Sequence, residues 1–307
     1  DRIHDTAVML NKKIIEGPSF QLRNRKNVKS KNNIVLKIGT PKFQSNFNGK
    51  VLSLLTGGAG NANYFHWIYD VLPKIFLVEK YINIKKINYF LFPSIDKKFQ
   101  RESLDLLNIP YRKRLSSKKI RHLKCKSLIV TEHPYVIKND PTNEITNIPL
   151  WILKSLKKNL MKDKKNLKKF PKRIYIDRSD SESNHRHLRS ILNEQAIKEI
   201  LIKKNFKIVR VSEYSFVDQI KLFYNAEIIV GLHGAAFANF VFCKPKTKII
   251  EFRSNTAGPM FENLAKNNRL KYLKIESKPK KYFYNNQLGH IEVDIALFKK
   301  KLEKLVR

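Results

Sequence analysis

From Arg173 onward, short apolar runs alternate with stretches of helical spacing, and no other feature limits the fold of this chain as strongly. Residues 173–177 (RIYID), 207–211 (KIVRV), 227–230 (EIIV), 248–252 (KIIEF) and 272–275 read as strands. Between them, residues 193–204 have helical spacing with Asn193 as N-cap, and residues 215–225 open with a Ser-x-x-Asp capping box. A short helix is expected at Met260–Asn267, and the small residues of 231–236 mark a tight turn. Strand and helix in alternation predict a parallel sheet covered by helices on both faces.

The first half repeats the scheme less cleanly. Residues 51–55 (VLSLL), Tyr89–Phe92 and residues 127–131 are expected strands. A Gly-rich loop, TGGAGNAN, leads into a long amphipathic helix over residues 64–81, and a second helix is expected over 97–107. The first 45 residues or so give only edge strands and loops. Pro134, Pro141, Pro149 and the Lys-rich run 162–169 separate the halves, which places the boundary near Asn147, with domains of residues 1–146 and 147–307. A last helix over residues 294–306 can pack on either. Two α/β domains suit an enzyme holding two substrates in a cleft at the carboxyl ends of its strands.

The chain has 307 residues, 42% of them hydrophobic, which is ample for two packed cores. Its net charge is +36, from 62 Lys and Arg against 26 Asp and Glu. Such an excess attracts polyanions: nucleic acid, an anionic membrane surface or phosphorylated substrates. Lysines scattered beside Asn and Ile also fit a compositional bias with no function attached. Two distant cysteines, Cys125 and Cys243, exclude a zinc cluster and a disulfide framework, and fit a reducing compartment. No apolar run reaches the ~18 residues that span a bilayer.

Three blocks carry chemistry. In the first, Val230 to Asn239 (VGLHGAAFAN), an apolar run ends in glycine and Gly-Ala-Ala opens a helix. Small residues let a ligand approach the backbone, and the free N–H groups of a helix start suit a diphosphate. His233 adds a hydrogen bond or a charge. A turn whose small residues serve packing alone is the competing reading. The second block is Asp177-Arg178-Ser179, followed by Arg186, Arg189 and Asn193. Arg178 sits at a strand end, where a guanidinium can grip phosphate in bidentate fashion. The third, NANYFHWIYDVLP, has Asn63 as N-cap and puts His66 and Asp70 on one helix face. That pair is either a general base with its partner or a histidine satisfied by a carboxylate. Neither a Walker motif nor a G-x-S-x-G elbow is present.

Taken together, NYFHWIYDVLP, RIYIDRS…LRSILNE, YSFVDQIKLFYNAEIIVGLHGAAFANFVF and KIIEF resemble glycosyltransferase family 61, in the same order and spacing, over about residues 57–252. The resemblance implies two Rossmann-like domains in the GT-B arrangement and inverting transfer without a metal. It also implies a nucleotide-sugar donor, expected to be a UDP-sugar, with no further cofactor. Donor contacts are then expected from Arg178, Arg189, Asn193, His233, Gly234, Ala235, Ala236, Asn239 and, through the ribose hydroxyls, Glu251. The segment after Arg178 is longer here than in the family, which leaves Arg186 and Arg189 as alternatives for its second arginine. Asn63 and Trp67 are expected on the acceptor side. Asp70 is expected as general base with His66 orienting it, or the reverse.

The expected partners are the nucleotide sugar, a glycan or lipid-linked glycan acceptor and an anionic membrane surface. The expected location is cytoplasmic, at the inner membrane face, with a role in surface polysaccharide synthesis. Two readings compete with this one. A nucleic-acid-binding protein lacks any supporting motif, so no specific nucleic acid is expected. An inactive sugar-binding member of the same fold is the other.

Overall fold

The computed structural model describes residues 6–19, 21–23, 26–55, 63–135, 146–162, 165, 167–179, 189–280 and 289–306. The chain divides into two compact units, Asp1–Leu160 and Met161–Arg307. The division falls after Leu160 rather than near Asn147, because the helix Leu150–Leu160 packs against the helix Leu72–Glu79 of the first unit. Its Ile152, Leu153, Leu156 and Leu160 are buried at helical spacing.

In the first unit, two small antiparallel ribbons precede the main sheet: β1 (Met9–Leu10) with β2 (Lys13–Ile14), and β3 (Gln21–Arg23) with β4 (Lys26–Val28). The β1–β2 turn places Asn11 and Lys12 at φ of 48° and 64°, as a two-residue hairpin of right-handed strand twist requires. The main sheet is parallel, with strands β5 (Ser45–Ser53), β6 (Tyr89–Phe92), β7 (Arg114–Ser116) and β8 (Leu123–Ile129) in the order β7-β6-β5-β8. Successive strands step outward from β5 to β7. The chain then returns to the other side of β5, so the order reverses between β5 and β8.

The helix after β5 differs from expectation. Tyr64–His66 is α-helical, Trp67–Val71 forms a π-turn, and Leu72–Glu79 resumes the α-helix. Pro73 accounts for the widening: its ring has no N–H and would crowd the carbonyl four residues back in a regular α-helix. The helix is also buried nearly all round from Trp67 to Phe76 rather than amphipathic.

The second unit carries a five-stranded parallel sheet: β9 (Arg173–Ile176), β10 (Lys207–Val209), β11 (Ile228–Leu232), β12 (Lys248–Ser254) and β13 (Lys271–Ser277), in the order β10-β9-β11-β12-β13. Here the order reverses between β9 and β11. Ser215 caps the helix Phe216–Asn225 by accepting from the Asp218 N–H, as the capping box predicts. The helix Ile295–Val306 belongs to this unit. Its Phe298, Leu302 and Leu305 join the core formed with Tyr175, Val230, Ile250 and Phe252. Among the described residues no helix is long and apolar enough to cross a membrane.

Candidate functional site

Open parallel sheets leave a crevice where the strand order reverses, at the carboxyl ends of the two strands that flank it. In the second unit those ends are Ile176 and Leu232, and the residues that follow are Asp177-Arg178 and His233-Gly234. Asp177 fixes the turn that carries Arg178: one carboxylate oxygen accepts from the Ser179 N–H at 2.8 Å, and the other lies 3.1 Å from Lys198 Nζ. Arg178 Nη1 then donates to the His233 carbonyl at 2.8 Å, and Arg189 Nη1 donates to the same oxygen at 3.2 Å.

Two guanidinium groups thus converge on one acceptor. Burial, and then the like charge of Arg178, pull the Arg189 guanidinium down to about 10, with Glu251 opposing. Its Nε is buried and has no hydrogen-bond partner among the described residues. Of the two alternatives for the second arginine, the structure brings Arg189 to this point. Arg186 lies outside the described residues.

Gly234 stands against the pair. A Cβ built there would lie 1.9 Å from Arg178 Nη1. Its backbone is extended, at φ 172° and ψ 172°, so glycine is required for space and not for conformation. Ala235 and Ala236 form the first turn of a 3₁₀-helix, Ala235–Phe242, and are half-buried, with N–H groups at the start of the helix. Asn239 is fully buried in that helix, and its Nδ2 donates to the Ala236 carbonyl at 3.1 Å.

Glu251 and Asn193, both expected at the donor, have partners within the second unit. Glu251 is fully buried on β12; His233 Nδ1 lies 2.5 Å from its Oε1, and the Tyr272 hydroxyl donates to its Oε2. Both of its carboxylate oxygens are thus engaged within the second unit. Burial lowers the His233 pKa, and Arg189 and Arg253 add to this, while Glu251 opposes. Asn193 makes no side-chain cap to its helix. Its amide spans both backbone groups of Val293, donating to the carbonyl at 2.8 Å and accepting from the N–H at 3.0 Å. The expected helix cap gives way to this tether, because the bridge between Ile191 and Ile291 brings the two chain segments side by side.

The first unit has the corresponding arrangement. β5 ends at Ser53 and β8 at Ile129, and a second polar cluster gathers just beyond those ends. Asp70 is 0% exposed. Its Oδ2 lies 2.7 Å from His66 Nδ1, and its Oδ1 accepts from the Tyr135 hydroxyl at 2.7 Å. His133 Nε2 is 3.8 Å from Oδ2. Burial opposes ionisation of Asp70, but the imidazoles of His66 and His133 outweigh it and hold the carboxyl well below the usual carboxylate range. An ionised carboxylate only accepts, so His66 Nδ1 carries the proton and, in the neutral ring, Nε2 is the acceptor. The His66 side chain is 24% exposed, against 1% for Asp70.

Asp70 is thus enclosed with both oxygens occupied, while the His66 ring stays partly exposed. Trp67, expected on the acceptor side, is placed in the core of the first unit. It is buried, and its Nε1 donates to Ser103 Oγ at 2.9 Å. The Asn63 Oδ1 caps the helix by accepting from the N–H groups of Phe65 and His66. The Gly-rich residues 56–62 lie outside the described ones.

Sequence reasoning missed three members of this cluster. Lys74 is one turn beyond Asp70 on the same helix, buried, with Nζ donating to the Leu55 carbonyl at 2.6 Å. A lysine four residues after an aspartate, inside the apolar run VLPKIFLV, was the available signal. Tyr135 and His133 come from the segment after β8, and no local pattern announces them.

The family model described as Glycosyltransferase 61 matches residues 64–250. The matched span begins at the helix that carries His66, Asp70 and Lys74 and runs through β11 into β12, so it contains His133, Tyr135, both arginines and the His233-Gly234 turn. No curated protein matches the chain.

Proposed function

The chain belongs to glycosyltransferase family 61, and we propose that it moves a sugar from a nucleotide-sugar donor, a UDP-sugar, to a hydroxyl of a glycan or lipid-linked glycan acceptor. The observation that carries this reading is the convergence of Arg178 and Arg189 on the His233 carbonyl beside Gly234. Crowding two cations there costs energy that a bound dianion relieves, and a diphosphate fits that demand. The N–H groups that open the helix Ala235–Phe242 add donors without charge.

In this mechanism the acceptor oxygen attacks the anomeric carbon and the bond to the diphosphate oxygen breaks on the opposite side, which inverts the centre. The acceptor's proton passes to His66 Nε2, while Asp70 holds Nδ1–H and balances the imidazolium that forms. The charge left on the diphosphate is met by the two arginines, so this step needs no metal. In this reading the second unit binds the donor and the first supplies the base. The basic composition supports work against an anionic cytoplasmic membrane face.

Calorimetry with UDP and UDP-sugars tests the donor site. A hydrogen bond to a charged group is worth roughly 1.5–3 kcal/mol, so Arg178→Ala and Arg189→Ala should each weaken binding about ten- to a hundredfold. Unchanged affinity in both variants would remove the arginines from the site. His66→Gln should lower kcat by about 10²–10⁴-fold at unchanged donor affinity. Turnover abolished by EDTA and restored by Mn²⁺ would overturn the metal-free step.

A further inference from the structure

Asp70 can orient His66 only if its own carboxylate is prevented from turning. A lone carboxylate on a helix is free to rotate about its last bond; turned out of line it loses its contact with Nδ1, and the imidazole it serves then samples both tautomers. Here the two oxygens are held by different parts of the fold. Oδ2 faces His66 on the same helix, and Oδ1 receives the hydroxyl of Tyr135, 65 residues further along the chain. We propose that Tyr135 is a positioning residue, a clamp from the loop after β8 that locks the Asp70 carboxylate and so keeps the proton of neutral His66 on Nδ1 and its Nε2 open for the acceptor hydroxyl.

The surroundings of Tyr135 fit this role. Tyr135 is buried, so the bond forms away from water, where a phenol directed at a carboxylate holds its geometry best. The ring packs edge-on against His133, with centroids 4.3 Å apart, and His133 Nδ1 lies 3.1 Å from the Tyr135 carbonyl, so the residue is held at both its ring and its backbone. Burial first, and then the charge of Asp70, push the phenol well above its usual range, so it stays a donor at any working pH. The charged and titratable groups around the carboxylate are His66 and Lys74 on its own helix and His133 and Tyr135 on the facing segment. Tyr135 donates to Oδ1, and Oδ2 faces His66.

The inference rests on the reading of His66 as the base, but its test does not need turnover. The full chain, with ¹⁵N-labelled histidine, reports the tautomer of each ring through its two nitrogen shifts, and His66→Gln identifies the His66 signals. The wild-type protein should show neutral His66 protonated on Nδ1. In Tyr135→Phe, which keeps the ring and removes the hydroxyl, the Nε2-protonated form should rise about fivefold or more, the effect of losing one hydrogen bond. Asp70→Asn should change the same signals and serves as the positive control. Tautomer populations in Tyr135→Phe equal to wild type, with Asp70→Asn altered, would overturn the clamp. If Tyr135→Phe does not fold, the wild-type spectrum decides: a ring protonated on Nε2 sinks the proposal. An active His66→Gln enzyme would refute the base assignment separately, and the two failures are thereby distinguishable.

Discussion

Gly234 and Lys74 illustrate how single side chains are fixed by what lies beside them. A methyl group at position 234 would displace Arg178 from the His233 carbonyl, since the two atoms would lie 1.9 Å apart. Gly234→Ala is therefore expected to lower nucleotide affinity about tenfold or more while the melting temperature changes little; calorimetry and thermal unfolding on one preparation check both. Lys74 makes a pH prediction. Burial lowers its ammonium to about 8 from 10.5, with Asp70 opposing. Between those values the unfolded chain binds more protons than the folded one, so this group makes stability rise with pH across that window, and its cost is fully present below about pH 8. The span corresponds to roughly 3 kcal/mol. Denaturant titrations near pH 8 and pH 10 should show Lys74→Met losing that slope relative to the wild type.

Individual elements were legible in proportion to how locally they are determined. Tyr89–Phe92 and Met260–Asn267 form as their patterns require, because an apolar run between polar residues and an amphipathic turn each settle their own conformation. The π-turn at Trp67–Val71 is invisible in the same way that most π-turns are: five residues are too few to separate its period from that of an α-helix. Arg178 could be placed at a strand end from sequence, since alternation predicted the parallel sheet, whereas the choice of Arg189 over Arg186 could not be read there. Of the partners of Asp70, His66 was legible at helical spacing and Tyr135 was not, since it lies 65 residues further along the chain. Asn193 shows the same limit. Its position before a helix suggested a cap, and its actual partner is Val293, 100 residues away. Asn193→Ala removes two hydrogen bonds to buried backbone and should cost about 1–3 kcal/mol, with nucleotide affinity unchanged. A loss of affinity greater than the stability change explains would return Asn193 to the donor site.

At the scale of the whole molecule, charge and chain order matter most. Each cation near an anionic surface contributes about 1 kcal/mol, so a chain of net charge +36 should sediment with anionic vesicles, not with neutral ones, and lose that binding as salt rises. Equal binding to both vesicle types would leave the charge as compositional bias. Chain order bears on how the protein is made. All the residues of the His66–Asp70–Tyr135 cluster lie within the first 160, so the first unit can close while the rest is still being synthesised. The second cannot close as early: its sheet is complete at Ser277, yet its core takes in Phe298, Leu302 and Leu305 from the helix Ile295–Val306. While those residues are still inside the ribosome, the face of the sheet that carries Val230, Ile250 and Phe252 is covered only in part, by Ile197 and Leu201 of the helix Glu194–Ile202. That interval is when a nascent chain of this kind is exposed to aggregation, and when a chaperone holding apolar strands would find it.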